Sequence, residues 1–280
     1  MRLHVGCAMW NLKPWVGRFV PPSLPPQERL KSYAQWCNAV EGNTTFYAVP
    51  KRSAVESWAR QTDPGFRFVV KLPKSITHER RLNDVEVELA TFLDAIEPLG
   101  PRVHALWIQL PGSFTPSDLD GLAGFLARLP RTHRYAVEVR HRAFFDNPSR
   151  LERVLSAVDA EWVPFDTTAF FKAQPTSDAE REAWTAKPRM PQRLEALTER
   201  PIIRYLGRDD VSATVEGWKP LHDKVVAWLR EGRSPTVFIH TPDNADAPML
   251  ARRFHDEVRS RVPSLDPLPE PAREEQPTLF

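Results

Sequence analysis

Short apolar runs alternate along the chain with longer segments in which apolar residues recur every three or four positions. The short runs are rich in Val, Ile and Phe, and most end in a polar side chain followed by a loop. This pattern is typical of buried strands. The predicted strands are Leu3–Gly6, Val40–Asn43, Phe66–Lys71, Val103–Leu110, Tyr135–Arg140, Trp162–Asp166, Ile202–Leu206 and Thr236–His240.

The segments with helical spacing predict the helices between these strands. Asp84–Ile96 is amphipathic and ends before Pro98 and Gly100, which stop helices. The segment from Thr167 to about Pro191 is long, polar and weakly periodic, which is typical of a functional or mobile loop. The other predicted helices are Pro26–Asn38, Pro50–Trp58, Pro116–Leu129, one that starts at Asn147, a short one that closes at Leu194–Leu197, Trp218–Arg230 and Ala247–Arg259.

Strands that alternate with helices indicate parallel βαβ units, and eight such units favour closure into a barrel. The predicted fold is therefore α/β, a single (β/α)8 TIM-barrel-like domain over residues 1–262, and 280 residues suit one such domain. From Pro263 onward, prolines at 267, 269 and 271 predict a disordered, Pro-rich tail over residues 263–280.

Charge and cysteine content say more about the cellular compartment of the protein than about its function. The net charge of +2 is too small to indicate nucleic acid binding by itself. Cys7 and Cys37 form no CxxC pair, which favours a reducing compartment. With no apolar stretch of about 20 residues and no leader-like N-terminus, we expect a cytoplasmic protein with no membrane partner.

Polar residues at the strand ends form the candidate site, because the carboxyl ends of barrel strands meet on one face. Glu41, Glu138 and Asp166 are the predicted catalytic carboxylates, able to serve as acid and base. The predicted substrate-binding residues are Asn43, Tyr47, Lys71, His78, Gln109, Arg140, Arg204 and His240.

Besides acid and base catalysis by the carboxylates, two further kinds of chemistry are open to this set. Lys71, Arg140 and Arg204 favour an anion, most simply phosphate or carboxylate. His78, His141 and His240, together with the carboxylates, allow a divalent metal, although no local metal-ligand spacing occurs and its identity is unknown. Trp10, Trp15, Phe46 and Tyr47 form either a stacking platform for a sugar or base, or ordinary loop packing. Cys7 is expected to be a small buried residue rather than a nucleophile.

Several motifs resemble those of a known family. Glu41 to Tyr47 is similar to the E-x-N-x-T-F-Y signature of the DUF72 (YecE-like) family, and Glu138-Val139-Arg140-His141 is similar to a second motif of that family. Lys71-Leu72-Pro73, Gln109-Leu110-Pro111 and the Asp166 and Arg204 strands follow in the family's order. The resemblance implies a TIM-barrel-like fold and no specific function.

The last five residues, Gln276 to Phe280, resemble the Q-x-x-L-F peptide with which bacterial DNA-processing proteins bind the sliding clamp. In such a peptide Gln276 supplies hydrogen bonds, and Leu279 and Phe280 supply apolar anchors. The alternative is an ordinary tail without a partner.

Together these features favour a hydrolase-like enzyme, of phosphodiesterase or nuclease type, that acts on a phosphate-bearing substrate, which includes nucleic acid. One alternative is an enzyme that acts on a sugar-like small metabolite. The other is a non-catalytic adaptor whose barrel binds a ligand and whose tail binds a partner.

Overall fold

A computed structural model describes residues 1–271 and shows an α/β fold built on one parallel sheet. The strands are β1 His4–Cys7, β2 Ala39–Gly42, β3 Arg67–Lys71, β4 Val103–Gln109, β5 Tyr135–Glu138, β6 Glu161–Trp162, β7 Phe165–Asp166, β8 Ile202–Leu206 and β9 Thr236–His240. They pair in the order β6-β5-β4-β3-β2-β1-β9-β8-β7. Apart from β6 and β7, consecutive strands are therefore neighbours, and β1 also pairs with β9.

The prediction of eight strands was wrong by one, because the predicted strand Trp162–Asp166 is two short strands. β6 pairs with β5, whereas β7 pairs with β8. Only Val163 and Pro164 separate them in the chain, so the sheet curls until its two edges meet there. Pro164 has no N–H to donate to a ladder, which explains the interruption. The architecture is barrel-like, with nine strands.

Helices flank the sheet on its outer side. They are α1 Arg29–Tyr33, α2 Thr44–Tyr47, α3 Arg52–Arg60, α4 Glu86–Ile96, α5 Leu119–Arg128, α6 Ala143–Asp146, α7 Ser149–Ser156, α8 Thr168–Phe171, α9 Asp178–Ala186, α10 Val211–Gly217, α11 Lys219–Arg230 and α12 Ala247–Arg261. Residues Leu194–Leu197 are not helical, contrary to prediction, and the segment predicted as a loop contains α8 and α9. Over residues 1–271, no helix is both long enough and apolar enough to cross a bilayer.

The domain does not end at residue 262. Leu265 and Leu268 are 4% and 3% exposed and belong to the main hydrophobic core. Arg259 Nε donates to the Leu265 carbonyl at 3.1 Å, and Arg252 Nη1 donates to the Pro269 carbonyl at 2.6 Å. The first part of the predicted tail is thus packed against the barrel. The predicted clamp-binding residues Gln276, Leu279 and Phe280 lie outside the described part of the chain.

Candidate functional site

Side-chain alternation along the strands places the site on top of an apolar floor. Successive residues of a strand point to opposite faces of the sheet, so residues two apart share a face. The interior of the barrel is filled by a compact apolar cluster that includes Ala39, Val69, Trp107, Ala136, Ile202 and Phe238. Two residues after each of these, at the carboxyl end of the same strand, comes a buried polar side chain. The polar set is Glu41, Lys71, Gln109, Glu138, Arg204 and His240. We call this end of the barrel the mouth.

Glu41 is the hub of the buried set. Its Oε1 lies 2.7 Å from Lys71 Nζ. Its Oε2 lies 3.1 Å from Arg204 Nε and 2.9 Å from His240 Nε2. Lys71 Nζ also donates to Gln109 Oε1 at 2.9 Å. Four strands are therefore joined to Glu41, directly or through Lys71, by charged or polar contacts.

Glu138 and Arg140 extend the buried network to the protein surface. Arg140 Nε donates to Glu138 Oε1 at 2.7 Å, and Arg204 Nη1 lies 3.7 Å from Glu138 Oε2. Glu138 is fully buried, and its Oε2 has no hydrogen-bond partner among the described residues. The Arg140 side chain remains 24% exposed. This pair is the part of the buried network that extends to the surface.

The cations set the ionisation of the two carboxylates. Burial alone would raise the pKa of Glu41, but Arg204, Lys71 and His240 together hold it well below its usual range. The pKa of Glu138 is raised by burial and lowered more strongly by Arg140, Arg204 and Lys71, so its net shift is downward. Both carboxylates are therefore ionised at neutral pH.

The buried bases respond in the opposite sense. Burial, with the nearby charge of Arg204, lowers the pKa of Lys71 to about 8 against the pull of Glu41. The same causes lower the pKa of His240 to about 4, so this histidine is neutral at pH 7. Lys71 Nζ also lies 4.5 Å from the Trp107 ring centroid, and Arg204 Cζ lies 4.4 Å from that of Phe165. Lys71 thus lies against Trp107 of the floor, and Arg204 lies against Phe165.

Two predicted site residues bond to neighbouring loops instead of joining the network. Asp166 is buried, and its Oδ1 accepts from the N–H and hydroxyl of Thr168 while its Oδ2 accepts from Gln192 Nε2 at 2.8 Å. Asn43 Nδ2 donates to the Ala8 carbonyl at 2.9 Å. Both side chains thereby fix the loops that leave β7 and β2.

The rim of the mouth is aromatic and basic. Tyr47 is 72% exposed and packs edge-on against Phe46, which in turn lies edge-on to His78 at 5.0 Å between ring centroids. Partial burial and the charge of Arg140 lower the pKa of His78. Desolvation by the surrounding protein, with the charges of Arg204 and Arg140, also lowers the pKa of Lys187, although this residue is accessible to solvent. Lys187 is a rim residue that the sequence did not suggest.

A second unforeseen feature holds the segment of α8 and α9 in place. Arg208, just after β8, donates Nε and Nη2 to the two oxygens of the buried Glu180 at 2.7 and 2.6 Å. It also donates to the carbonyls of Ala173 and Gln174. Ser177 caps α9 by accepting from the Glu180 N–H at 3.0 Å. The spacing Ser177-x-x-Glu180 is a capping-box signature that would have revealed this helix in the sequence.

The other candidate residues are used in packing. Trp15 is fully buried and donates its Nε1 to the Asn244 carbonyl at 2.8 Å, and Trp10 packs edge-on against Trp58. They form no open stacking platform. Cys7 is buried, as expected. Within residues 1–271, no three His, Cys, Asp or Glu side chains are grouped so as to hold a metal ion.

Comparison with known proteins places this architecture in a family. Residues 4–275 match the family model described as "Protein of unknown function DUF72". The chain is 34% identical over 281 aligned residues to the UPF0759 protein YecE of Escherichia coli K12, covering 99% of this chain and 100% of that protein. It is 26% identical over 151 residues to the UPF0759 protein YunF of Bacillus subtilis, covering 51% of this chain and 53% of that protein.

Solved structures share the fold. A DUF72 family protein from Thermotoga maritima matches with a TM-score of 0.70 at 23% identity, over 92% of this chain and 100% of that one. One from Enterococcus faecalis matches with a TM-score of 0.66 at 18% identity, over 92% and 98%. The resemblance first noted in the strand-end motifs is thus confirmed over nearly the whole sequence, and the chain belongs to the DUF72 family.

Proposed function

We propose that the protein is an enzyme that acts on a phosphate-bearing substrate at the mouth. The observation that carries this proposal is the state of Arg140. Its Nε is fixed by Glu138 at 2.7 Å and its Cζ lies 6.0 Å from the Phe165 ring centroid, whereas its two Nη nitrogens make no hydrogen bond among residues 1–271. A planar guanidinium that is anchored on one side and free on the other suits bidentate binding of phosphate oxygens.

The charges around Arg140 support the same ligand. Lys187 and His78 lie close enough for Arg140 to shift their pKa values. Arg204 and Lys71 add positive charge beneath the rim, partly neutralised by Glu41 and Glu138. A low-dielectric site strengthens these fields, so a developing negative charge on a phosphate would be stabilised.

The carboxylates then take different roles. Glu138 is ionised, and its Oε2 has no hydrogen-bond partner among the described residues, which suits a base that accepts the proton of an attacking water. Glu41 is occupied by Lys71, Arg204 and His240, which suits a positioning role for the cations. Asp166 suits a role in holding the loop after β7.

The test is an assay of the full chain on phosphomonoesters, phosphodiesters, DNA and RNA, each with Mg²⁺, Mn²⁺ or Zn²⁺. We expect Arg140→Gln to weaken substrate binding by about tenfold or more, from the loss of charge-assisted hydrogen bonds. Glu138→Gln is expected to lower kcat. Arg142→Gln is the matched control, because that side chain is 78% exposed and lies 3.8 Å from the exposed Asp146. Absence of both turnover and binding in the wild-type protein would refute the proposal.

A second candidate function is an enzyme on a sugar-like metabolite. The exposed ring of Tyr47, backed by Phe46, favours this reading because sugars stack on open aromatic faces. A thermal shift with sugars but not with nucleotides, lost in Tyr47→Ala, would select it. Unchanged cellular function after Glu138→Gln, combined with loss after removal of Gln276 to Phe280, would instead select a non-catalytic adaptor.

A further inference from the structure

A cavity of about 670 Å³ lies at the end of the barrel opposite to the mouth. Its wall includes Val103 and His104 at the start of β4 and Tyr135 at the start of β5. We call it the lower cavity. Its volume falls within the range of about 300–1,000 Å³ that is usual for small-molecule sites.

Three arginines contribute to the wall of the lower cavity, namely Arg131, Arg134 and Arg200. Arg131 and Arg200 are exposed. Within residues 1–271, neither guanidinium makes a hydrogen bond or has a carboxylate within 4.0 Å. Many of the protein's other arginines are paired, including Arg193 with Glu152 and Arg208 with Glu180. Two of the three arginines on the wall of the lower cavity are therefore unpaired among the described residues.

Arg134 is the buried member of the three, with a side chain that is 8% exposed. Its Nη2 donates to Thr198 Oγ1 at 2.9 Å and to the carbonyl of Arg200. Its Nη1 is buried without any partner among the described residues. An unsatisfied N–H on a buried cation is costly, so this donor calls for an acceptor.

The nearby carboxylates do not supply that acceptor. Glu161 Oε2 lies 4.0 Å from Arg134 Nη2 and already accepts from the N–H and hydroxyl of Thr198, at 3.0 and 2.6 Å. Glu97, at another part of the wall, pairs with Arg52 at 2.5 Å. Asp159 also lines the cavity and is exposed, and its carboxylate lies within 4.0 Å of none of the three guanidinium groups.

We propose that the lower cavity binds a small phosphate-bearing anion through Arg131, Arg134 and Arg200. Three guanidinium groups around one cavity can supply several parallel N–H donors to phosphate oxygens. The cavity lies at the amino-terminal ends of the strands, whereas barrel chemistry belongs to the other end. A ligand here would act by stabilising the folded protein, since it binds the native state alone.

The first test is calorimetric titration of the full chain with inorganic phosphate and with a nucleoside monophosphate. The double variant Arg131→Gln/Arg200→Gln is expected to bind at least about tenfold more weakly than the wild type. Its matched control is Arg60→Gln/Arg150→Gln, which removes two exposed arginines outside the cavity wall. Tighter binding of the nucleotide identifies an organic phosphate as the ligand, and equal binding identifies the phosphate group alone.

If phosphate binds at the mouth instead, Arg140→Gln loses binding and Arg131→Gln/Arg200→Gln keeps it. That result would overturn the proposal. Equal binding by the Arg131→Gln/Arg200→Gln variant and its control would overturn it too.

A second measurement needs no variant. In the wild-type protein, phosphate should protect Arg131 and Arg200, but not Arg60, from an arginine-selective dicarbonyl reagent read out by mass spectrometry. Absence of that protection would refute the site.

Discussion

Glu41 is the residue on which the charge balance of the mouth depends. It is fully buried and lies within 3.1 Å of nitrogen atoms of Lys71, Arg204 and His240. Taking charges out of water is costly, and the cost is offset only while each charge keeps its partner. The same contacts that place a carboxylate in the barrel therefore make the network sensitive to the loss of one member.

Glu41→Gln should destabilise the fold by about 3–5 kcal/mol, because Lys71 and Arg204 lose a shared buried counter-charge. Urea unfolding at pH 7 measures the change in the free energy of unfolding. Glu56→Gln is the control, since Glu56 is 46% exposed and lies 3.8 Å from Arg52; we expect a change there of about 0.5 kcal/mol or less. A Glu41→Gln variant as stable as the control would show that the network is not a stabilising unit.

His240 makes stability depend on pH. Its pKa is about 4 in the folded protein, compared with 6.5 for an unperturbed histidine. Between these values the unfolded chain binds a proton that the folded chain does not, so stability falls as pH falls from 6.5 toward 4. One proton accounts for at most about 1.4 kcal/mol per pH unit.

The check is a series of urea unfolding curves from pH 7 to pH 4.5 for the wild type and His240→Gln. Other buried histidines, such as His4 with a pKa of about 3, titrate in the same window and contribute to both slopes. The difference between the slopes therefore isolates His240. Identical slopes would mean that His240 does not change its pKa on folding.

Among the elements, α9 is held by one buried ion pair. Arg208 and Glu180 share two hydrogen bonds, and the Arg208 contact is the main reason that the pKa of Glu180 falls to about 2. Arg208→Met should release α9 and raise its amide hydrogen exchange by about tenfold or more, because it leaves the buried Glu180 carboxylate without its counter-charge. The strands should keep their protection. Arg181→Gln, on an exposed face of the same helix, should leave exchange in α9 unchanged.

The elements that the sequence predicted well are those with a strong period. α4 and α11 begin and end within a few residues of their predicted bounds, because their apolar faces and stop signals are local. The split of the sixth predicted strand is a tertiary event. Trp162 and Phe165 belong to strands that pair with opposite edges of the curled sheet, and nothing in a local apolar run reveals which partner each half will find.

In the candidate site too, some features could be predicted from the sequence and others depend on tertiary contacts. Glu41, Lys71, Gln109, Glu138, Arg204 and His240 come together because strand ends in a barrel converge, which the sequence makes visible. Asp166 pairs with Tyr205, one residue beyond Arg204, so it lies on the other face of the sheet from the network, and it bonds to Thr168 two residues later. Short polar side chains often form hydrogen bonds to nearby backbone in this way. A position at a strand end therefore does not by itself show whether such a side chain belongs to the site or holds a loop.

At the scale of the whole molecule, packing extends past the last helix. Leu268 is 3% exposed, although it follows Pro263 and Pro267 in a stretch whose composition predicts disorder. Leu268→Ala should therefore lower the free energy of unfolding by about 2–5 kcal/mol, as for a core leucine. A solvated linker would show almost no change in the same urea experiment. Val87→Ala is the control, because that side chain is 76% exposed.

The last residues call for a different experiment, because their predicted role concerns a partner. We propose that Gln276, Leu279 and Phe280 bind a bacterial sliding clamp. Removing residues 276–280 leaves every contact among residues 1–271 in place. The unfolding midpoint should therefore be unchanged, while clamp binding, measured by calorimetry against the full chain as reference, is lost.

Leu279→Ala/Phe280→Ala should abolish binding, since two apolar anchors carry most of the affinity of such a peptide. Thr278→Ala, at a position the motif leaves open, should retain it. Binding that survives the deletion would place the contact on the barrel, and no binding in any form would remove this reason to test nucleic acids first as substrates.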